Sequence, residues 1–315
     1  MTTLIMGGLG FIGLHTARAF LDLGEDLVLT QYRVNREPPF IKDEFGKRAK
    51  VEQLDITDKD RLMEIGRTHK IDKIVHLAVP GLGALTPLED FTVNMQGLIN
   101  VLEAGREWEC SRIGLGSSTA VYAGIYEGGV NREDMRLTLA GGGPTGTWKK
   151  CFELIGNYYK DRTELDVVML RIAGIYGPLY HSMANLPSRL VHAAVKGEPP
   201  VLRGETYAED GSDATYVKDC GRGIALLMQA ETLNHNVYNV SSGRVTTPGQ
   251  MVSEIQKVIP GFKGDFLKEG RNPASPGPSY MDNGRIKADT AYDPEYPAEK
   301  SFADYIAWLQ AGNEQ

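Results

Sequence analysis

The feature that most constrains the fold is a glycine-rich turn directly after the first apolar segment. Residues 3–6 form a short apolar run that leads into Gly7, Gly10 and Gly13, which are spaced three residues apart. A helical pattern over residues 11–23 begins inside the same turn. Glycine permits a tight strand-to-helix turn and lets the backbone approach a ligand closely. The pattern therefore predicts a β-strand, a turn and an α-helix at the start of an α/β domain.

The same turn predicts a dinucleotide site. A pyrophosphate binds to backbone N–H groups at the N-terminus of a helix, where a Cβ atom would collide with it. Gly7 and Gly10 leave that space free, and Phe11 and Ile12 supply the first N–H groups of the helix. We therefore assign these four residues to cofactor binding. An ordinary glycine turn is the alternative, but the position directly after the first strand favours the dinucleotide site.

The residue that contacts the adenosine ribose is expected about 20 residues further on, at the end of the second strand. That position is Thr30 or Gln31, and neither side chain is acidic. A carboxylate there would bind the 2′-hydroxyl of NAD and repel the 2′-phosphate of NADP. Arg33 and Arg36 follow and are able to pair with a phosphate, although they are equally typical of a solvated loop. The sequence thus predicts NAD or NADP as cofactor, with NADP favoured.

Short apolar segments alternate with longer helical patterns through the first half of the chain. Segments with the length and composition of buried strands lie at residues 26–31, 50–54, 73–78, 112–117 and 167–172. Parallel strands with helices on both faces appear in sequence as continuous apolar runs of this kind. We therefore predict an α/β fold with a doubly wound parallel sheet (a Rossmann fold) and a smaller C-terminal substrate-binding α/β part.

The alternation loosens after Gly174, where prolines and polar loops interrupt it. A further apolar series lies within residues 213–243, and a helical pattern covers residues 250–258. We predict an NAD(P)-binding domain over residues 1–174, to which residues 213–243 return. Residues 175–315 are then mainly a substrate-binding domain.

Composition excludes several classes of function. The net charge is −7, so the chain has no basic surplus for binding nucleic acid. Its three cysteines are far apart in sequence and form no cluster with metal-ligand spacing, so we predict no metal site. No apolar run approaches the roughly 18 residues that a membrane span needs, and the first residues do not resemble a signal peptide. We expect a cytoplasmic protein without a membrane partner.

Eight segments in order resemble those of the extended short-chain dehydrogenase/reductases, in the epimerase/dehydratase branch. They are GGLGFIG at 7–13, LDITD at 54–58, HLA at 76–78, Asn94, GSSTAVY at 116–122, RIAGIYGP at 171–178, SDATYVKD at 212–219 and YNVSSG at 238–243. The resemblance implies a nicotinamide cofactor at the C-terminal edge of the sheet. It implies further cofactor contacts at Asp55 and Ile56, and at Leu77, Ala78 and Val79.

The family also implies a catalytic set from which this sequence departs. A Ser or Thr, matched by Ser118, precedes a Tyr-x-x-x-Lys pair in which the lysine binds the nicotinamide ribose and lowers the pKa of the proton-transferring tyrosine. Lys149 matches the lysine, since Glu153 follows it by four residues as in the family. Thr145 stands where the tyrosine is expected. A threonine hydroxyl ionises far above a phenol and is a poor general base.

Another group is therefore expected to move the proton. Tyr122 and Tyr126 follow Ser118, and Tyr180 and His181 follow the YGP turn, where relatives contact substrate. His181 has the most suitable ordinary pKa. Each of the four is also consistent with a loop residue that shapes the pocket, and a water held by Thr145 and Lys149 is a further possible relay. We assign catalytic roles to Ser118, Thr145, Lys149, Tyr122 and His181, and substrate contacts to Tyr126 and Tyr180.

Two departures bear on the substrate. Relatives that use nucleotide-diphosphate sugars often have an arginine where this chain has Ser212, and an asparagine where it has Gly174. We therefore predict a small substrate that is not a nucleotide sugar. Three functions remain open: oxidation or reduction of a carbinol or carbonyl, a redox-neutral epimerase, dehydratase or lyase with tightly bound NAD(P), and a non-catalytic dinucleotide sensor.

The resemblance also implies a homodimer. In relatives, the helices that match residues 91–106 and 148–159 pair across a two-fold axis as a four-helix bundle. An isologous dimer is therefore the expected assembly.

Overall fold

The computed structural model describes residues 2–80, 85–125, 129–139 and 141–315. Its strands are β1 (Thr2–Met6), β2 (Asp26–Gln31), β3 (Ala49–Gln53), β4 (Ile71–His76), β5 (Arg112–Ser118), β6 (Gly129–Asn131), β7 (Val167–Ile172), β8 (Gly174–Tyr176), β9 (Thr206–Tyr207), β10 (Ala214–Tyr216), β11 (Val237–Val240), β12 (Leu267–Lys268) and β13 (Ser279–Met281). Its α-helices are α1 (Phe11–Asp22), α2 (Lys59–His69), α3 (Pro87–Glu107), α4 (Gly143–Arg162), α5 (Leu186–Lys196), α6 (Val217–Gln229), α7 (Pro248–Val258), α8 (Gly284–Asp289) and α9 (Ala298–Gln310).

A seven-stranded parallel sheet lies at the centre, in the order β11-β7-β5-β4-β1-β2-β3. The chain leaves β1 towards β2 on one side and returns to β4 on the other. In open α/β sheets, a ligand binds at the carboxyl ends of the strands where the order reverses in this way. The predicted α/β fold with a doubly wound parallel sheet is confirmed.

Helices cover both faces of this sheet. Helices α1 and α6 pack on one face, and α2, α3 and α4 pack on the other. Successive side chains of β1 point to opposite faces of the sheet. Ile5 lies in the apolar cluster under α1 and α6, whereas Leu4 and Met6 lie in the cluster under α2, α3 and α4. A separate apolar cluster joins α5, α7 and α9. The central strands are therefore buried on both sides, which explains their continuous apolar runs.

Local capping determines where two helices begin. Helix α3 starts at Pro87, because Thr86 and Glu89 form a reciprocal capping box before it. Helix α2 starts at Lys59, where the side chain of Asp58 accepts a hydrogen bond from the N–H of Arg61. Part of the apolar series after Gly174 is helical, since residues 224–229 belong to α6. Among the described residues, no helix is both long enough and apolar enough to cross a membrane.

The contact between α1 and α6 provides a test of this packing. A Cβ atom on Gly221 of α6 would lie 2.6 Å from the backbone carbonyl group of His15 in α1. We expect Gly221→Ala to lower the free energy of unfolding by about 1–3 kcal/mol through overpacking, despite the better helix propensity of alanine. Urea denaturation measures this change. The control is Gly261→Ala, because an added Cβ there meets nothing within 4 Å; equal effects in the two variants would contradict the packing.

Candidate active site

The loops after β1 and β4 touch each other at the point where the strand order reverses. Gly7 has a φ of 77°, which favours glycine. A Cβ atom on Gly7 would lie 3.0 Å from the backbone of Ala78, so only glycine allows this approach. The N–H of Leu77 donates to the carbonyl oxygen of Met6, and Val79 beyond it is exposed. These contacts form one crevice wall from the predicted residues Gly7, Leu77, Ala78 and Val79.

The N-terminus of α1 opens into this crevice. Gly10 caps the helix without any side-chain hydrogen bond, and Leu14 is the residue that bonds back to the Gly10 carbonyl oxygen. The N–H groups of Phe11 and Ile12 therefore lie at an uncapped helix end, where the helix dipole favours an anion. An added Cβ on Gly10 would meet only the Gly7 carbonyl oxygen within 4 Å. The residues present thus fit a phosphate group.

The end of β2 offers an unused acceptor beside this helix end. Thr30 is occupied, because its hydroxyl accepts a hydrogen bond of 3.0 Å from the N–H of Gly7. The Oε1 atom of Gln31 is buried and has no hydrogen-bond partner in the described part of the chain. The guanidinium of Arg33 lies over the Tyr32 ring, and Arg36 pairs with Glu314 at 2.8 Å. The Oε1 atom of Gln31 is therefore able to accept a hydrogen bond from a ligand hydroxyl.

Asp55 and Ile56 are held in place by neighbouring groups. The carboxylate of Asp55 accepts hydrogen bonds from the N–H and hydroxyl of Thr57, at 2.9 and 2.7 Å. Burial raises the pKa of Asp55, but the Thr57 hydrogen bonds and the nearby charge of Arg33 outweigh burial and lower it. The side chain of Asn100 donates to the carbonyl oxygen of Ile56 at 2.9 Å. Asp55 is therefore an ionised acceptor in a fixed loop.

The carboxyl end of β5 and the start of α4 meet beside the crevice. Ser118 ends β5, and its hydroxyl accepts a hydrogen bond from the N–H of Ala120 at 3.1 Å. A Cβ atom on Gly146 would lie 2.9 Å from the Ala120 carbonyl oxygen, so α4 starts directly against the turn after Ser118. Thr145 precedes Gly146, and its side chain makes no hydrogen bond within the described ranges. Ser118 and Thr145 therefore belong to the same edge of the sheet.

Lys149 follows Thr145 by one turn on the same face of α4. Its ammonium lies 4.6 Å from the centre of the Phe152 ring, and none of the acidic residues that the structure describes pairs with it. Burial without a counter-charge lowers the pKa of Lys149 to about 8.

His76, at the end of β4, lies on the other side of this aromatic ring. Its imidazole stacks on Phe152 at 5.5 Å and is 1% exposed. Neither ring nitrogen has a hydrogen-bond partner in the described part of the chain. Burial and the nearby charge of Lys149 lower the pKa of His76 to about 3. The imidazole of His76 is therefore uncharged at neutral pH.

Tyr122 is placed differently from its predicted catalytic role. It is 4% exposed, its hydroxyl donates to Asn239 at 2.8 Å, and it accepts from Arg171 at 2.9 Å. Arg171 in turn pairs with Glu153 through two hydrogen bonds of 2.9 and 2.8 Å. Burial raises the pKa of Tyr122. Both hydrogen-bonding functions of the phenol are thus occupied within the protein. The catalytic role of Tyr122 stays a prediction.

Tyr180 and His181, which follow the YGP turn, have different surroundings in the structure. The Tyr180 ring packs edge-on against Phe11 at 5.1 Å and so borders the helix end. His181 instead lies 3.3 Å from Glu314, the partner of Arg36, and is about two-fifths exposed. Burial and the charge of Arg36 lower the pKa of His181. Its partner is a surface carboxylate, and the acid–base role of His181 stays a prediction. Tyr126 lies outside the described residues.

Neither a role for His76 nor the buried network around Arg171 was predicted from the sequence. One signal was present, because His76 interrupts an otherwise apolar strand at the crevice. The partners of Arg171 are 18 and 49 residues away in sequence, so no local pattern reveals them.

This chain is similar in sequence and in fold to known epimerases and dehydratases. A family model described as the NAD dependent epimerase/dehydratase family matches residues 3–241. An uncharacterised epimerase/dehydratase of Staphylococcus saprophyticus is 28% identical over 93% of this chain and 92% of that protein. A UDP-glucuronate 4-epimerase of Thermodesulfobacterium geofontis is 24% identical, over 97% and 95%. The crystal structure of a UDP-glucose 4-epimerase of Thermotoga maritima has a TM-score of 0.84 at 21% identity, and each chain covers 99% of the other.

The unpaired charge of Lys149 gives a stability prediction for the cofactor-free protein. Its pKa is lowered on folding, so the unfolded state binds the extra proton between pH 8 and about 10.4 and wild-type stability rises across that window. We expect Lys149→Met to unfold with a free energy about 2–3 kcal/mol higher than wild type at pH 7, and the difference to shrink towards pH 10.

Urea denaturation of both proteins at pH 7 and pH 10 measures this difference. The matched control is Lys160→Met, because Lys160 lies on the same helix with a side chain 39% exposed. A Lys149→Met difference that is independent of pH would contradict the lowered pKa.

Proposed function

The chain belongs to the NAD dependent epimerase/dehydratase family, and we propose that it uses NAD to act on a carbinol or carbonyl of a small substrate without a nucleoside diphosphate. The family confirms the sequence prediction of an NAD(P)-dependent enzyme of the extended short-chain dehydrogenase type. The proposed substrate class is supported by one observation. The cleft that starts at Gly174 has no lysine or arginine in its described lining. The bound nicotinamide would supply hydride transfer.

The choice of NAD over NADP reverses the preference drawn from the sequence. In favour of NAD, the orphaned Oε1 of Gln31 is an acceptor that the 2′-hydroxyl of its ribose would satisfy. The arginines that favoured NADP already have partners, since Arg36 pairs with Glu314 and Arg33 stacks on Tyr32. A 2′-phosphate would have to displace these contacts. The pyrophosphate would lie at Gly10, on the uncapped end of α1.

The proposed substrate cleft begins at Gly174, two residues beyond the strand partner of Ser118. It has a volume of about 380 Å³ and is lined by polar and apolar side chains that include Glu205, Asp210 and Ser212. No lysine or arginine belongs to the lining that the structure describes. A diphosphate is commonly bound by lysine or arginine side chains, so a lining without them disfavours it.

We assign the chemistry to Ser118, Thr145 and Lys149. Ser118 and Thr145 belong to the same edge of the sheet, and their hydroxyls would hold the reacting oxygen. Lys149, one turn further along α4, would bind the nicotinamide ribose. Thr145 would take the place of the tyrosine of the family, and its short side chain would leave proton transfer to another group.

A homodimer through α3 and α4 is part of the proposal. These adjacent helices expose Leu88, Phe91, Leu154 and Tyr158, which are each at least half accessible in the single chain. Such an apolar surface is typical of an interface, and pairing it across a two-fold axis would form a four-helix bundle. Sedimentation velocity tests the assembly directly, and a monomer at micromolar concentration would contradict it.

The cofactor proposal is tested by denaturing the purified protein and identifying released nucleotide by mass spectrometry, then by adding NAD⁺ or NADP⁺ to the emptied protein. We expect one NAD per chain and at least tenfold weaker binding of NADP⁺.

The same experiment separates the two reaction types. Stoichiometric NAD that survives purification would favour redox-neutral chemistry, whereas an empty protein that takes up NAD⁺ would favour net oxidation or reduction. Gly10→Ala is expected to fold but to lose the site. Failure of wild type to bind either nucleotide would contradict the proposal.

The substrate proposal is tested with UDP and UDP-glucose as probes. We expect calorimetry in the presence of NAD⁺ to detect no binding at micromolar concentration, because the cleft lacks a counter-charge. Ser212→Arg is the matched variant and is expected to gain affinity for UDP. Micromolar binding of UDP by the wild-type protein would overturn the substrate class and leave the cofactor assignment standing.

A further inference from the structure

Lys149 differs from the other buried cations of the described chain. Arg171 is held by the Glu153 carboxylate, and Arg112 by Asp166 at 2.6 Å and by two backbone carbonyl oxygens. Lys149 has no carboxylate partner in the described ranges, and its ammonium lies over the Phe152 ring, 4.6 Å from the ring centre. A buried ammonium without an anion loses its proton more readily than a paired one.

The titratable groups packed around Lys149 do not compete with it. From β4, His76 is neutral with a pKa of about 3. Further along α4, Glu153 is committed to Arg171 of β7. From α3, Asp90 accepts a hydrogen bond of 2.6 Å from the indole N–H of Trp148. Near Ser118, burial raises the pKa of Tyr122.

Burial lowers the pKa of Lys149 to about 8, in the neutral to mildly alkaline range. Thr145 lies one turn before Lys149 and ends at a hydroxyl and a methyl group. A threonine side chain is shorter than the tyrosine that the family has at this position and carries no phenol, so it leaves the proton of the substrate hydroxyl to another group.

We propose that Lys149 itself takes up and returns the proton of the substrate hydroxyl. The inference rests on the proposed function, which supplies the nicotinamide and the carbinol. In the oxidising direction the O–H bond of the carbinol breaks and its proton forms an N–H bond on the neutral Nζ. A bound oxidised nicotinamide would accept the hydrogen of the C–H bond with its electron pair as the C=O bond forms. The reverse step returns both hydrogens to the substrate.

The test requires no substrate. Protein labelled with ¹³C at the lysine Cε is titrated by NMR, and the Lys149 signal is assigned by its absence in Lys149→Arg. We expect a pKa of about 8 in the free protein. With saturating NAD⁺ the pKa is expected to be lower than with NADH, because the cationic ring disfavours a nearby ammonium. Lys160→Met, with its exposed lysine on the same helix, is the control and should leave the signal unchanged.

Two outcomes would overturn the inference alone. One is a Lys149 pKa near the ordinary value of about 10.4 in the free protein. The other is the same pKa in the NAD⁺ and NADH complexes. If neither nucleotide perturbs any lysine signal, the cofactor is not bound and the proposed function fails together with the inference.

Lys149→Arg separates proton transfer from ribose binding. Arginine keeps the charge and hydrogen-bond donors but does not give up its proton. With a carbinol that the wild-type protein oxidises, kcat is expected to fall by about 10²–10⁴-fold, while the Kd for NAD⁺ changes less than tenfold. Wild-type kcat in Lys149→Arg would overturn the proton-transfer role.

Discussion

The close approach of the loops after β1 and β4 is the constraint on which the candidate site depends. Gly7 lies against the backbone of Ala78, and a Cβ atom at Gly13 would collide with the carbonyl oxygen of Gly7. These contacts press the start of α1 into the crevice where the strand order reverses. Because no side chain caps α1, its N–H groups remain available to a ligand phosphate. The position of a dinucleotide would then determine which strand ends face the nicotinamide.

A buried ion pair fixes the other half of the site. Glu153 of α4 holds Arg171 of β7 through two hydrogen bonds and accepts a third from Ser117 of β5. Breaking such a pair leaves an uncompensated buried charge and costs about 3–5 kcal/mol. The pair ties α4 to the sheet one turn beyond Lys149, so the position of Lys149 follows from a contact that Lys149 does not itself make. Glu153, which neutralises Arg171, and Lys149, which has no carboxylate partner among the described residues, thus lie one turn apart on α4.

The sheet and the glycine loop follow directly from local sequence patterns, whereas much of the candidate site does not. Continuous apolar runs predicted the buried strands, since both faces of the sheet are covered. Tyr122 looked available in sequence because its partner Asn239 is 117 residues away. His181 was selected for its ordinary pKa, but that property carries no information about Glu314, which pairs with it near the end of the chain. The orphaned oxygen of Gln31 is visible only once burial is known.

The central claim is that Lys149 meets the nicotinamide end of NAD with no phenol between them and no carboxylate beside it. A crystal structure of the NAD⁺ complex tests this claim most directly. We expect the pyrophosphate on the N-terminus of α1 and Nζ of Lys149 within about 3 Å of a ribose hydroxyl. NAD⁺ bound elsewhere, or Lys149 turned away into an ion pair with a carboxylate, would contradict it.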